Sequence, residues 1–153
     1  MLNKIQQKEL ETAVLCWLAT ADVAGFPNVS PKEVFCCFND STVLVANIAS
    51  PGTIKNLKYN PKVCLSFVDV FAQRGYQLKG TASLIRERSK CPEAFQALEA
   101  IAGPKFPIHS LIWMDVNDVK PILAPTYVMY PETTQQQLIK QAMERYGVQK
   151  KKE

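Results

Sequence analysis

Short apolar runs, each cut off by turn residues, most limit the folds open to this chain. VLCWLAT (14–20), TVLVANIA (42–49), VCLSFVDV (63–70), YQLKGTASLIRE (76–87) and LIWMDVNDV (111–119) are rich in β-branched, aromatic or alternating apolar residues. Gly, Pro, Asn, Asp or Ser lie between them, and these are the residues that reverse a chain. NVSPKEVFCCFN (28–39) reads as one further strand, interrupted by Pro31. The tight Asp40-Ser41 turn links that strand to the next as a hairpin, so sequence neighbours are expected to pair antiparallel. Ten prolines against six glycines favour many reversals over long helices. The prediction is a mainly β fold with peripheral helices, a small six-stranded antiparallel barrel.

The helices predicted around it are short. Residues 3–13 show a helical period with Ile5, Leu10 and Ala13 inward. Ser50-Pro51 has the Ser N-cap and Pro N1 of a helix start, and the helix runs through GTIKNLKYN with Ile54 and Leu57 inward. Ser89 is expected to cap a helix over 90–102 that ends at Gly103. A last helix is predicted near 132–146.

At 153 residues, 47% hydrophobic and 21% charged, the chain suits one globular domain rather than a disordered one. That domain is expected over 1–147, with a basic flexible tail at 148–153. Lys150 to Glu153 holds three Lys and one Glu, so half of the formal charge of +4 sits in the tail. The remaining basic residues are scattered, unlike the concentrated stripe of a nucleic-acid binder. A barrel binding single strands through Phe35, Phe67 and Tyr76 is accordingly the weakest functional reading. No apolar run approaches the ~18–20 residues of a membrane helix. Five cysteines show no CxxC or zinc spacing, and His109 is the only histidine, so no metal site is predicted. An odd cysteine count and an N-terminus unlike a signal peptide predict reduced thiols and a cytoplasmic protein.

The chemistry concentrates in ANIASPGTIKNLKYNP (46–61). A strand end runs into a helix start whose free amides favour an anion. Ser50 and Thr53 offer hydroxyls, Lys55 a charge, and Gly52 allows close approach to the backbone. By itself the segment also reads as a capped helix and nothing more.

Three segments in order, LATADVAGFPNVSPKEVF, VLVANIASPGTIKNLKYNPKVCLSFVDVF and RGYQLKGTASLI, resemble the FMN-binding split-barrel family related to pyridoxamine 5′-phosphate oxidase. The resemblance spans roughly residues 10–120. It implies a six-stranded split barrel, a homodimer, and one FMN in each of two clefts at the subunit interface. By position, Ser30, Pro31 and Lys32 would face the isoalloxazine ring. Ala46, Asn47 and Ile48 would lie along the ring and ribityl chain, and Ser50, Thr53, Lys55 and Asn56 would line the phosphate pocket. Arg74, Gly75, Tyr76 and Gln77 would close the cleft, and Trp113 would stack on the flavin of the partner subunit. Lys32 would supply the cation that stabilises a reduced flavin. Many members carry an Arg-Lys pair where this chain has Gly52-Thr53. The Arg-rich substrate motifs of the longer oxidases are missing, which argues against pyridoxamine phosphate as substrate. The implied function is an FMN-dependent oxidoreductase acting on a small molecule, or alternatively a non-catalytic FMN carrier.

Overall fold

The computed structural model describes residues 1–150 and is built on one antiparallel sheet. Its strands are β1 (Cys16–Ala21), β2 (Pro27–Lys32), β3 (Phe35–Cys37), β4 (Thr42–Ala46), β5 (Lys62–Asp69), β6 (Arg74–Ile85) and β7 (Leu111–Leu123). They lie in the order β2-β1-β5-β6-β7-β4-β3. The predicted six strands are therefore seven, because the run 28–39 divides at Glu33-Val34. Its first half pairs with β1 and its second with β4, at opposite margins of the sheet. Two intervening residues span no more than ~10 Å, so the two margins must come together there. The sheet curls into a half-barrel.

Of the three strand prolines, Pro27 opens β2, and Pro31 and Pro121 sit where one side of the strand has no neighbour. Pro31 is on β2, which has only β1 as neighbour. Pro121 lies beyond Asp115, where β4 stops covering β7. That is where proline is tolerated in a sheet. The long β6–β7 pair slips register between Lys79 and Gly80, a bulge that bends the strands. A Cβ on Gly80 would lie 1.9 Å from the Asp115 carbonyl oxygen, and one on Gly75 2.0 Å from that of Phe67. Only glycine fits at either place.

Apolar side chains fill both faces. Inside the curl, Leu18, Val43, Val45, Leu65, Phe67, Leu78, Ile112 and Met114 are buried together. On the opposite face α3 (Pro92–Ala102) lays Ala94, Phe95 and Leu98 on Leu44, Ala46 and Leu111. Each such fully buried large side chain contributes about 1.5–3 kcal/mol. α3 begins later than predicted. Ser89 sits in a 3-10 turn (Arg88–Lys90), and Cys91 is the N-cap with Pro92 at the first helical position. The helix ends at Gly103 as expected.

α1 (Lys4–Thr12) opens on a capping box between Asn3 and Gln6. Leu10 is buried, but Ile5 is exposed, and Leu2 takes the inward place instead. The Leu2 amide bonds to the Asp40 carbonyl and pins the chain before the helix begins. α2 (Pro51–Leu57) follows β4, and α4 (Pro125–Met129) follows β7. α5 (Gln135–Tyr146), with a Thr134–Gln137 capping box, matches the helix predicted near 132–146. Of the expected basic tail, 148–150 are exposed and without regular structure, and 151–153 lie outside the described residues. Among the described residues no helix is long and apolar enough to cross a membrane.

Candidate functional site

The end of the half-barrel beneath α2 carries an inward row of polar residues where a core face would ordinarily be apolar. Asn28, Ser30 and Lys32 alternate along β2, so all three point to one side. They meet the start of α2: the Lys32 ammonium donates to Ser50 Oγ, and the Ser30 and Thr53 hydroxyls lie 3.1 Å apart. A Cβ on Gly52 would stand 3.5 Å from Asn28 Oδ1. One turn later Asn56 Nδ2 donates to Thr20 Oγ1 at 3.0 Å. α2 thus turns Thr53 and Asn56, not the expected Ile54 and Leu57, most deeply inward. Those two apolar residues pack only partly buried against the core. The helix therefore meets β1 and β2 through polar side chains and the core through Ile54 and Leu57.

Lys32 is 5% exposed, and no carboxylate accompanies it among the ion pairs of the described residues. Burial lowers its pKa from the ordinary lysine value; the Cys16 thiol opposite it in the β1–β2 register works the other way. Burial pushes the Cys16 thiol itself up to about 12, with Lys32 partly opposing. A buried cation held by a hydroxyl, without a counter-ion, is an incomplete electrostatic arrangement. Ser50 accepts from Lys32 and makes no capping bond, so the first-turn amides of α2 have no side-chain partner. Lys55 is exposed. An ammonium, several hydroxyls and free helix amides fit a phosphate monoester.

The remaining predicted residues divide. Ala46 is buried, and its amide bonds to the carbonyl of Val34, two residues beyond Lys32, at 2.9 Å. Asn47 is held by Ser110, through its amide and through Nδ2 to Ser110 Oγ at 2.9 Å. Ile48 is exposed and leads to Ser50, while Pro31 faces away from the row. Pro31 and Ile48 flank Ser30, Lys32, Ser50, Thr53, Lys55 and Asn56 in the chain, whereas Ala46 turns its side chain to α3 and Asn47 is tied to the residue before β7. Arg74, Gly75, Tyr76 and Gln77 make no side-chain hydrogen bond to the Lys32 cluster among the described residues. They open β6 opposite the last residues of β5, whereas α2 runs into the start of β5. The register sets Pro31, Trp17, Ser66 and Gln77 in one cross-strand row, so Gln77 lies three strand spacings of ~4.8 Å from the residue beside Lys32. Tyr76 packs on Phe67 with ring centroids 5.9 Å apart. Trp113 lies on the α3 face, edge-on to Phe38, with Nε1 donating to Asp115. Within one chain it has no route to the Lys32 cluster.

Thr20, Asn28 and Cys16 belong to the neighbourhood and were not singled out from the sequence. The signal was present in the alternation Asn28-Ser30-Lys32, whose inward phase becomes visible only when the β1 register is known.

The described residues contain no group of three His, Cys, Asp or Glu able to hold a metal ion. No curated protein sequence matches the chain. Solved structures do share the fold. HupZ from Group A Streptococcus is 24% identical, covering 78% of this chain and 92% of its own, with a TM-score of 0.68. An FMN-binding protein from Syntrophomonas wolfei subsp. wolfei is 16% identical, covering 78% and 84%, with a TM-score of 0.67. An F420 reductase is 17% identical, covering 78% and 98%, with a TM-score of 0.60. A family model described as pyridoxamine 5′-phosphate oxidase matches residues 2–122. With four-fifths of its length matched and the half-barrel in place, the chain belongs to the pyridoxamine 5′-phosphate oxidase family of FMN-binding split barrels.

Proposed function

We propose that the protein binds FMN, with the phosphate at the β2–α2 junction, and acts as an FMN-dependent oxidoreductase on a small molecule. The observation that carries this reading is Lys32: a buried ammonium with hydroxyl neighbours and no acid, at the mouth of a helix. A phosphate dianion there satisfies the cation, the Ser50 hydroxyl and the first-turn amides together. Thr53 and Asn56 hold the helix against β1 and β2 through Ser30 and Thr20, and Lys55 adds charge. Bound FMN would supply hydride or electron transfer at its N5; the chain grips the phosphate, orients the tail and keeps water out.

Sequence position assigned Lys32 to the ring and Ser50 to the phosphate, whereas in the structure the two touch. The reading therefore moves Lys32 to the phosphate end. The sheet's outward face leaves Trp17, Val29 and Val68 exposed, and the proposal includes a homodimer in which a second copy covers that face and completes the cleft. A cytoplasmic setting suits five free cysteines.

The test is spectroscopic. Purified protein, or protein given FMN, should show bound-flavin absorption bands and quenched flavin fluorescence. A chain that takes up no FMN overturns the reading. Bleaching of bound flavin by a nicotinamide donor separates an oxidoreductase from a carrier, which only dithionite would reduce.

A further inference from the structure

The β1–β2 hairpin ends in a tip whose side chains take no part in the core. Asp22 Oδ1 accepts from the Ala24 and Phe26 amides at 2.9 Å, and the Asp22 amide donates to the Phe26 carbonyl at 3.0 Å. Gly25 takes the positive φ of 86° that the turn requires. The tip is thus fixed, yet its two large apolar side chains stand in solvent, Val23 77% and Phe26 73% exposed.

The end of α2 lies alongside. Asn56 is bonded to Thr20, two residues before the tip, and Lys58 and Tyr59 follow Asn56 directly after Leu57. Tyr59 is exposed, with the Lys58 ammonium 5.2 Å from its ring centroid. Ala19 pairs with Cys64, which sets the exposed Lys62 level with Ala21 at the base of the tip. Neither lysine joins an ion pair among the described residues. No Asp or Glu occurs from Ser41 to Val68, and Asp22 is the sole acid between Glu11 and Glu33. Its carboxylate is turned onto the amides of the tip.

We propose that this corner of the fold docks on an anionic lipid surface. Val23, Phe26 and Tyr59 dip into the boundary between headgroups and acyl chains, and Lys58 and Lys62 meet the headgroups. A hairpin tip is convex. A protein partner would have to supply a pocket of matching shape, whereas a bilayer boundary takes in protruding apolar side chains wherever they stand. Tyrosine suits that boundary because its ring is apolar and its hydroxyl polar. Lysine stems lie along the apolar layer while their ammonium groups stay with the headgroups, and each lysine near an anionic surface strengthens the attachment. So few inserted side chains give reversible, peripheral binding.

Docking requires no flavin, so the full chain is tested with and without FMN. The probes are vesicles of phosphatidylcholine alone and of phosphatidylcholine with about one-third phosphatidylglycerol. Cosedimentation should be saturable on the anionic vesicles, at least ~10-fold weaker on the neutral ones, and should fade with added salt. Phe26→Ser should weaken binding ~10–100-fold, the value of burying that ring, and Lys58→Gln about fivefold. Both side chains are exposed, so the variants should melt as the wild type does. Phe26→Trp should add a blue-shifted emission component on anionic vesicles only. Equal binding to both vesicles, no binding to either (the outcome expected of a tip that meets an acidic protein), or full binding by Phe26→Ser each overturn the proposal. So does a dimer that Phe26→Ser splits, which would give the tip to the subunit contact, or release from vesicles by saturating FMN, which would give the corner to the cofactor.

Discussion

Lys32 and Ser50, eighteen residues apart in sequence, are joined by a hydrogen bond from the buried ammonium to the serine hydroxyl. Marginal strand β2 and the start of α2 therefore share one cation. Anything that binds there acts on both elements together.

Lys32→Met keeps the length of the side chain and removes the charge. Replacing a buried, unpaired cation by an apolar group is expected to leave folding stability unchanged or raised. FMN affinity should fall ~10–150-fold, the worth of a charge-assisted hydrogen bond. Urea melts and flavin titration read the two effects separately. Wild-type affinity in Lys32→Met would move the phosphate elsewhere.

Lys55 is exposed, and its contribution should be the smaller one. Lys55→Ala is expected to weaken FMN only ~2–5-fold, with the difference shrinking as salt is added. Titrations at low and high ionic strength check this. A loss as large as that of Lys32→Met, insensitive to salt, would reverse the ranking.

Asn56 and Thr20 form a buried side-chain pair 36 residues apart. Asn56→Leu leaves the Thr20 hydroxyl without its partner and should cost about 1–3 kcal/mol. Adding Thr20→Val should recover much of that. A double-mutant cycle on urea unfolding measures the coupling, and strict additivity would mean the bond contributes nothing.

Gly75 and Gly80 cannot accept a methyl group without moving a neighbouring strand's backbone. Gly75→Ala and Gly80→Ala should each destabilise by at least ~2–3 kcal/mol, the upper range for overpacking. Gly75 would then owe its identity to packing, whatever the cleft binds. Near-wild-type melting of either variant would contradict the register.

Burial sets the alkaline response. The Cys16 and Cys37 thiols are pushed up to about 12 and that of Cys36 to about 11, from 9.0, chiefly by desolvation. A raised thiol pKa contributes stability below pH 9 that is lost as pH climbs toward the folded values. Lys32 opposes this: its pKa is lowered from 10.5, so its share of stability rises with pH as 10.5 is approached from below. Urea melts between about pH 9 and pH 11 should show a net decline. Cys16→Val should make that decline shallower, and an equally steep loss in the variant would remove Cys16 as a cause.

Much of the fold was legible because strand signals are local. β1, β4, β5 and β6 stood out as apolar or alternating runs between turn residues, and Ser50-Pro51 marked α2. The division of 28–39 was not legible: no breaker occupies Glu33-Val34, and the split exists because the halves serve different neighbours. Ile5 was placed inward by helical period, yet Leu2, outside the helix, fills that space. The neighbourhood of Ser30, Lys32, Ser50, Thr53 and Asn56 followed from spacing and family resemblance. The contact between Lys32 and Ser50 did not, since it depends on how β2 is phased against β1. Trp113 was assigned to the flavin of a partner subunit, and in its own chain it lies on the α3 face.

The two-residue step at Glu33-Val34 also governs how the chain tolerates change. Because it stitches the outermost strands of the sheet, extra residues there would let the seam gape and slacken the grip of Lys32 on α2. Insertions of the same size at the exposed Asp22–Phe26 hairpin tip, remote from that seam, should pass almost unnoticed.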